Sequence, residues 1–189
     1  MNNFWYKFLR PILSPIYKFY YNPKIEGKEN IPKEGPIIIA GNHKHIMDQC
    51  NIIISTKRVI TYMAKKEYFD NPLTKVFFKM VKCIPVDRSK KDENAKSKAL
   101  DVLKNGGAIG IFPEGTRNKT KEKLLAFKYG TVSMAKKTNS LIVPFGISGD
   151  YKFRSKNLKI KIGKPIDVSK LTIEEANQKL YDEISNLID

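Results

Sequence analysis

The sequence predicts one α/β domain in which a mixed sheet is flanked by helices. Short apolar segments typical of buried strands alternate along the chain with longer segments of helical periodicity, which is the order of elements in α/β proteins. A chain of 189 residues, 41% hydrophobic and 29% charged, is long enough to bury one core. We expect this domain to cover residues 23–189 and to be preceded by a segment of different character over residues 1–22.

The N-terminal segment is crowded with aromatic and aliphatic side chains, but it also carries Lys7, Arg10 and Lys18, and Pro11 and Pro15 interrupt it. Three cations are too many for a helix that spans a membrane. The segment also lacks the uninterrupted apolar centre and the small-residue cleavage site of a signal peptide. Its composition favours a kinked amphipathic segment that lies in the interface of a bilayer. The alternative is a helix that packs on the protein's own core.

Six segments are predicted to be strands, because each is a short apolar or alternating run bounded by turn residues. They cover residues 36–41, 58–64, 81–87, 108–112, 141–147 and 157–163. The last segment alternates apolar residues with Lys159 and Lys161, which predicts an edge strand with one lysine-coated face.

Two helices are predicted from their capping signals. Asp92 is a suitable N-cap for a helix over residues 92–105, which two glycines end. Thr172 and Glu175 have the spacing of a capping box at the start of a C-terminal helix. The apolar stripe of that helix consists of Ile173, Ala176, Leu180, Ile184 and Leu187. Ligands bind beyond the carboxyl ends of strands in such sheets, so functional residues are expected in the loops that follow the strands.

The charge balance limits the possible partners. Lysine and arginine number 35 against 19 acidic residues, which leaves a formal net charge of +16. Such an excess attracts polyanions: nucleic acid, an anionic membrane surface or phosphorylated substrates. The lysines are spread along the whole chain and no recognised nucleic-acid motif occurs, so we expect no nucleic acid as a partner. A basic nucleic-acid-binding domain is the alternative from another functional class.

Both histidines of the chain, His43 and His45, lie in one three-residue window, and Asp48 follows closely. If His43 lies in a loop and Asp48 in the first turns of the next helix, the carboxylate can bond one ring nitrogen. The other nitrogen is then free to accept a proton, which makes a general base. An H-x-H metal site with Asp48 as its third ligand is the alternative. Lys44 between the histidines opposes a cation, and we expect no metal.

Four motifs occur in a fixed order along the chain. They are an asparagine followed by His43-x4-Asp48, then Val86-Asp87-Arg88, then FPEGTR at 112–117, and IVPFGI at 142–147. Together with FKYG at 127–130, this series resembles the glycerolipid acyltransferase family over about residues 36–147. The second motif reads CIPVDR where the family more often has a glycine and bulkier apolar residues. The fourth has a phenylalanine where a small aliphatic residue is common.

The resemblance implies an O-acyltransferase that moves a fatty acyl group from acyl-CoA or acyl carrier protein to the free hydroxyl of 1-acylglycerol 3-phosphate. The product is phosphatidic acid, an intermediate of phospholipid biosynthesis. The residue that matches His43 deprotonates the hydroxyl, and the residue that matches Asp48 orients the imidazole. No cofactor is expected besides the acyl-donor substrate. The alternative acceptors are another lysophospholipid and glycerol 3-phosphate.

Direct attack by the acceptor hydroxyl requires no nucleophile on the enzyme, and the chain has no G-x-S-x-G motif. The alternative nucleophile is Cys50, which would make the reaction ping-pong. Cys50 and Cys83 form no C-x-x-C motif, and both are expected to be free thiols in a reducing compartment.

The family binds the glycerol 3-phosphate end of the acceptor through its second and third motifs. The resemblance therefore implies that substrate is bound by Arg88, Glu114, Gly115, Thr116, Arg117 and Lys128. A guanidinium can hold two phosphate oxygens, and a glycine lets the backbone approach closely. Glu114 is expected to bond a hydroxyl or to orient Arg88, because a carboxylate repels phosphate.

Because acceptor and donor are amphiphiles, the active site must reach lipid. The aromatic N-terminal segment and the positive charge together predict attachment to an anionic membrane surface. We expect a peripheral protein on the cytoplasmic face of the cell membrane.

Overall fold

A computed structural model describes residues 3–87, 89 and 92–188. These residues form a seven-stranded sheet in the order β1-β7-β6-β2-β5-β3-β4. The strands are β1 (Lys24–Glu26), β2 (Ile37–Gly41), β3 (Ile60–Lys65), β4 (Ile84–Val86), β5 (Ala108–Ile111), β6 (Leu141–Ser148) and β7 (Lys159–Ile162). Neighbouring strands are parallel except for β6 and β7, which are antiparallel. The sheet is therefore mixed, as the sequence predicts.

Six α-helices lie within the described residues: α1 (Phe4–Tyr21), α2 (Asp48–Ile53), α3 (Pro72–Met80), α4 (Glu93–Lys104), α5 (Gly130–Thr138) and α6 (Ile173–Leu187). Two short 3-10 helices cover Lys28–Asn30 and Lys66–Phe69. The predicted caps are confirmed: Asp92 accepts a hydrogen bond from the amide of Ala95, and Thr172 and Glu175 form a capping box.

Helices cover both faces of the sheet, which explains why its central strands are apolar without alternation. On one face, residues such as Ile38 and Ile109 pack against α4, α5 and α6. On the other face, Ile39, Val143 and Phe145 form a second cluster, to which α2 contributes a buried isoleucine. All five residues of β2 are buried. The strand that leads to the histidine motif is thus fixed from both sides.

Helix α1 has one face on the protein and one face exposed. Tyr6 and Tyr17 are buried, and the guanidinium of Arg10 donates a hydrogen bond from Nε to the carbonyl of Ile53 at 2.9 Å. The opposite face exposes large apolar side chains: Phe4, Trp5, Phe8, Ile12, Leu13, Ile16, Phe19 and Tyr20. Among the described residues, no helix combines the length and apolarity needed to cross a membrane.

Two strand predictions need correction. The segment with Lys159 and Lys161 is not at the edge of the sheet, because the three-residue strand β1 pairs with it in parallel and forms the edge itself. The strand predicted over 81–87 is shorter, since Lys82 has a positive φ of 63° in the turn that follows α3. Helices α3 and α5 and strand β1 have no counterpart among the predicted elements.

The capping box gives a prediction about stability. Thr172→Ala removes the hydroxyl that accepts the amide of Glu175 at 3.1 Å, so we expect the free energy of unfolding to fall by about 1 kcal/mol. Urea unfolding followed by circular dichroism measures the change. Thr172→Ser keeps the hydroxyl and serves as the control, expected to lie within a few tenths of a kcal/mol of the wild type. An unchanged midpoint for the alanine variant would show that this helix end does not contribute to global stability.

Candidate active site

The candidate site lies at the carboxyl edge of the parallel strands. Strands β2 and β5 are neighbours with Ala40 paired to Ile111, so the loops that follow them leave the sheet side by side. The first loop carries His43, and the second carries the FPEGTR motif. Strand β4 ends at the same edge, where it leads to Asp87. The first three motifs therefore converge because of the parallel topology.

The structure brings His43 and Asp48 together. His43 lies in the loop after β2, and Asp48 is the first residue of α2. Nδ1 of the imidazole is 2.8 Å from Oδ2 of the carboxylate. The ring stacks on Phe112 with 4.0 Å between centroids and 11° between planes. With Nδ1 protonated toward Asp48, Nε2 is left as the ring nitrogen that can accept a proton.

The carboxylate of Asp48 is fully buried and well supplied with donors. Oδ2 accepts hydrogen bonds from the ring of His43 and from the amides of Lys44 and His45, both at 2.7 Å. Oδ1 accepts the hydroxyl of Tyr151 at 2.6 Å. A buried carboxylate is stable only when such donors satisfy it, and here they also fix its orientation.

Glu114 holds the histidine loop against the second loop. Its side chain is only 3% exposed. Oε1 accepts the amide of His43 at 2.7 Å, and Oε2 accepts the amide of Leu125 at 2.9 Å. Burial away from water raises the pKa of Glu114. The sequence predicts that this residue bonds a hydroxyl of the acceptor or orients Arg88, but the structure shows contacts with the backbone on both oxygens.

The turn of the FPEGTR motif is closed by the amide of Gly115, which donates to the carbonyl of Phe112 at 2.9 Å. Gly115 has a φ of +72°, and a Cβ there would lie 2.8 Å from Cε of Lys128. The positive φ therefore favours glycine, and the absence of a side chain lets the lysine lie across the turn. Thr116 and Arg117 follow on the exposed surface.

Arg88 lies outside the described residues, as do positions 90 and 91. A cavity lies beside His43. Its volume is about 310 Å³, and its lining includes His43, Val86, Asp87, Phe112, Gly115, Lys128 and Thr131. Asp87 is paired with Lys66, whose Nζ is 2.7 Å from Oδ2, and this ion pair lowers the pKa of Asp87. Residues of the first three motifs thus line one cavity with His43.

His45 points away from a shared site with His43. Its ring stacks on Tyr151 with 4.2 Å between centroids, and its Nδ1 accepts the amide of Met47 at 3.3 Å. Within the described part of the chain, no group of three or more histidine, cysteine or acidic side chains is arranged to hold a metal ion.

Cys50 is a poor candidate for a nucleophile. It lies in α2, and burial together with the charge of Asp48 raises the pKa of its thiol to about 12. Burial raises the pKa of the Cys83 thiol to about 12 as well. A cysteine nucleophile needs a lowered pKa, since the thiolate is the reactive species.

Two parts of the site carry no signal in the sequence motifs. Tyr151 lies 103 positions beyond Asp48, in the loop that follows β6. Asn51 lies one turn into α2, and its side-chain amide donates to the hydroxyl of Tyr151 at 2.6 Å. The only available hint is that β6, like β2, ends at the carboxyl edge, so its following loop has access to the same place.

The chain is similar to known proteins over most of its length. A family model described as "Acyltransferase" matches residues 22–148. The 1-acyl-sn-glycerol-3-phosphate acyltransferase of Bacillus subtilis is 32% identical over 85% of this chain and 82% of its own length. The enzyme of the same name from Borreliella burgdorferi is 34% identical over 74% of this chain and 56% of its own length.

A solved structure is similar along nearly the whole chain. The 1-acyl-sn-glycerophosphate (LPA) acyltransferase PlsC from Thermotoga maritima superimposes with a TM-score of 0.76 at 25% identity, covering 94% of this chain and 78% of that one. The chain belongs to the acyltransferase family, as its four motifs predict. It is accordingly an enzyme of the O-acyltransferase type.

The raised thiol pKa values predict slow alkylation. At pH 8 a thiol with a pKa of about 12 is only about 10⁻⁴ thiolate. We expect iodoacetamide to label folded protein slowly, with a rate that rises about tenfold for each pH unit from 7 to 10. Mass spectrometry of the single-cysteine variants Cys50→Ala and Cys83→Ala measures each thiol separately. Urea-unfolded protein, whose thiols have ordinary pKa values, is the control. Rapid labelling of Cys50 at pH 7 would show that its thiol is reactive and would contradict its exclusion as a nucleophile.

Proposed function

We propose that this enzyme transfers a fatty acyl group from acyl-CoA or acyl carrier protein to the free hydroxyl of 1-acylglycerol 3-phosphate and so forms phosphatidic acid. The observation that carries the proposal is the bond between His43 and Asp48 beside a cavity lined by residues of the first three motifs. The relatives named 1-acyl-sn-glycerol-3-phosphate acyltransferase support the same acceptor.

In the proposed mechanism, Nε2 of His43 takes the proton of the acceptor hydroxyl as the oxygen attacks the thioester carbonyl. Asp48 holds the ring in the required tautomer and stabilises the imidazolium that forms. When the tetrahedral intermediate collapses, the carbon–sulfur bond breaks and the thiolate leaves. The imidazolium then returns its proton to the thiolate. Acyl transfer is direct, and no covalent acyl-enzyme is formed.

The phosphate of the acceptor is bound by cations at the same edge of the sheet. Lys128 crosses Gly115 and lines the cavity beside His43. Thr116 and Arg117 follow Gly115 along the chain and are exposed, and Arg88 follows Asp87 along the chain. Guanidinium and ammonium groups are the cations that proteins use to bind a phosphate monoester. Glu114 contributes by holding the loop of His43 rather than by touching the ligand.

Acyl chains require an apolar environment near the dyad. Helices α1, α2 and α3 enclose a groove of about 450 Å³. Its walls are almost entirely apolar and include Leu9, Leu13, Met47, Ile53 and Phe77. Met47 immediately precedes Asp48, so the groove begins next to the catalytic pair. We assign this groove to an acyl chain of one of the substrates.

The exposed face of α1 attaches the enzyme to lipid in this proposal. Five exposed large apolar residues of this helix lie outside the groove, namely Phe4, Trp5, Phe8, Ile12 and Phe19. The helix also carries Lys7 and Lys18, which suits the boundary between acyl chains and anionic head groups. The net charge of +16 adds electrostatic attraction to the anionic cytoplasmic face of the cell membrane. Nucleic acid remains the alternative polyanion, but no observation on the structure favours it over lipid.

The acceptor is tested by an acyl-transfer assay with labelled donor. We expect transfer to 1-acylglycerol 3-phosphate to exceed transfer to glycerol 3-phosphate and to a lysophospholipid without a phosphate monoester. His43→Ala should lower kcat at least about 10²-fold, the usual contribution of a positioned general base. Acyl-CoA and acyl carrier protein are assayed in parallel as donors.

His45→Gln is the comparison variant, because it changes the other histidine of the chain; its ring stacks on Tyr151, so we expect a smaller loss of kcat than for His43→Ala. Circular dichroism and thermal unfolding establish that both variants are folded. A His43→Ala enzyme with near wild-type turnover would refute the general-base role, and preference for another acceptor would replace 1-acylglycerol 3-phosphate in the proposal.

Attachment to lipid is tested with a variant of the outward face of α1. The triple substitution Trp5→Ala, Phe8→Ala and Ile12→Ala removes exposed side chains and keeps Tyr6, Arg10 and Tyr17. Burial of each such side chain in lipid is worth about 2 kcal/mol, so binding to vesicles with anionic lipid should fall more than tenfold in a sedimentation assay. Vesicles of zwitterionic lipid separate the apolar from the electrostatic contribution. Undiminished binding would exclude this face as the attachment surface.

A further inference from the structure

A directed series of hydrogen bonds connects helix α1 to the catalytic pair. The hydroxyl of Tyr17 donates to Oδ1 of Asn51 at 3.0 Å. The amide of Asn51 donates to the hydroxyl of Tyr151 at 2.6 Å, and that hydroxyl donates to Oδ1 of Asp48 at 2.6 Å. Asp48 in turn accepts from His43. Every donor along the first three links points toward the carboxylate.

Three members of the series are shielded from water, and Tyr151 is half-buried. Asp48 and Asn51 are fully buried, and Tyr17 is 8% exposed. Burial raises the pKa values of Tyr17 and Tyr151, and the negative charge of Asp48 raises both further. Both phenols therefore stay protonated and available as donors at any physiological pH. Hydrogen bonds in such a low-dielectric network strengthen one another.

The two oxygens of Asp48 are held by different parts of the protein. Oδ2 is held by its own loop, through His43 and the amides of Lys44 and His45. Oδ1 is held from outside that loop, by Tyr151. The plane of the carboxylate, and with it the direction of the imidazole, depends on both attachments.

The ring of Tyr151 is itself fixed by its neighbours. It stacks on His45 with 4.2 Å between centroids, and Tyr21 of α1 meets it edge-on at 5.5 Å. Tyr21 also packs against Tyr17 with centroids 5.0 Å apart. Helix α1 thus reaches the catalytic carboxylate by a polar route through Tyr17 and by an aromatic route through Tyr21.

We propose that Tyr151 is a positioning residue for the His43–Asp48 pair, and that Tyr17 makes its position depend on the docking of helix α1. The proposal rests on the proposed function, because it concerns the orientation of the base in that reaction. It extends that function by giving the N-terminal helix a part in turnover in addition to attachment. Tyr151 lines neither the cavity beside His43 nor the apolar groove, and Tyr17 lines the groove with a ring that a phenylalanine would keep.

The first test is Tyr151→Phe, which removes the hydroxyl and keeps the ring. We expect kcat with 1-acylglycerol 3-phosphate to fall about tenfold, the effect of losing one hydrogen bond to a charged group, while KM for either substrate changes less than twofold. Tyr181→Phe is the matched control. It removes a phenol hydroxyl from α6, where the ring packs on Phe127, and should leave kcat unchanged.

A spectroscopic measurement separates positioning from general destabilisation. Because the chain contains two histidines, ¹⁵N-histidine labelling gives signals from only two rings, and His45→Gln assigns them. In the wild type, His43 should show a single neutral tautomer with the proton on Nδ1. In Tyr151→Phe, we expect a mixture of tautomers at His43, and in Tyr181→Phe the wild-type pattern.

The second test asks whether α1 acts through the same route. Tyr17→Phe should lower kcat about threefold with vesicle binding unchanged, and the double variant with Tyr151→Phe should be no slower than Tyr151→Phe alone. Multiplied effects in this cycle would show that Tyr17 acts independently, and the link to α1 would then be discarded. If Tyr151→Phe does not fold, the kcat and the His43 tautomer pattern of Tyr17→Phe decide instead. The proposal is overturned if both are the same as in the wild type.

The activity of His43→Ala distinguishes a failure of the proposed mechanism from a failure of the positioning role of Tyr151. If that variant is active, the mechanism of the proposed function fails and the positioning proposal fails with it. If His43→Ala is inactive while Tyr151→Phe keeps both the kcat and the tautomer of the wild type, only the positioning proposal is overturned.

Discussion

The buried carboxylate of Asp48 is the constraint on which the rest of the site depends. A charge removed from water must be met by donors, and these donors come from four different sources: the His43 ring, two loop amides and the Tyr151 hydroxyl. Three of these donors belong to the histidine loop, and the fourth belongs to the loop after β6. Satisfying one carboxylate therefore fixes the histidine loop, the start of α2 and the loop after β6 relative to one another.

The sheet makes this arrangement possible by the direction of its strands. Because β2, β5 and β6 are parallel, their following loops emerge at one edge, and motifs more than 60 positions apart become neighbours. Glu114 uses this proximity to join the loop of His43 to the segment at Leu125. The amide of Asn118 adds a hydrogen bond to the carbonyl of His43 at 2.6 Å. His43 is consequently held by its backbone as well as by its ring.

The parts of the fold that could be predicted are those with local signals. Continuous apolar runs indicated the buried parallel strands, and capping residues marked α4 and α6. The three-residue strand β1 has no such signal, because it is stabilised by pairing with β7 rather than by its own pattern. Without a signal for β1, the sequence predicts β7 as the edge strand. In the site, the contact between His43 and Asp48 can be predicted from the sequence because only five positions separate the two residues. The contact between Tyr151 and Asp48 cannot be predicted in this way, since 103 positions separate them.

The two faces of α1 have a practical consequence for handling the protein. Its outward face exposes large apolar side chains to water. We therefore expect the isolated chain to self-associate unless detergent or lipid covers this face. Trimming the helix to improve solubility would uncover Asn51 and the carbonyl of Ile53, which Tyr17 and Arg10 now cap. A preparation in mild micelles that retains the first 21 residues is thus the form in which the catalytic machinery stays intact.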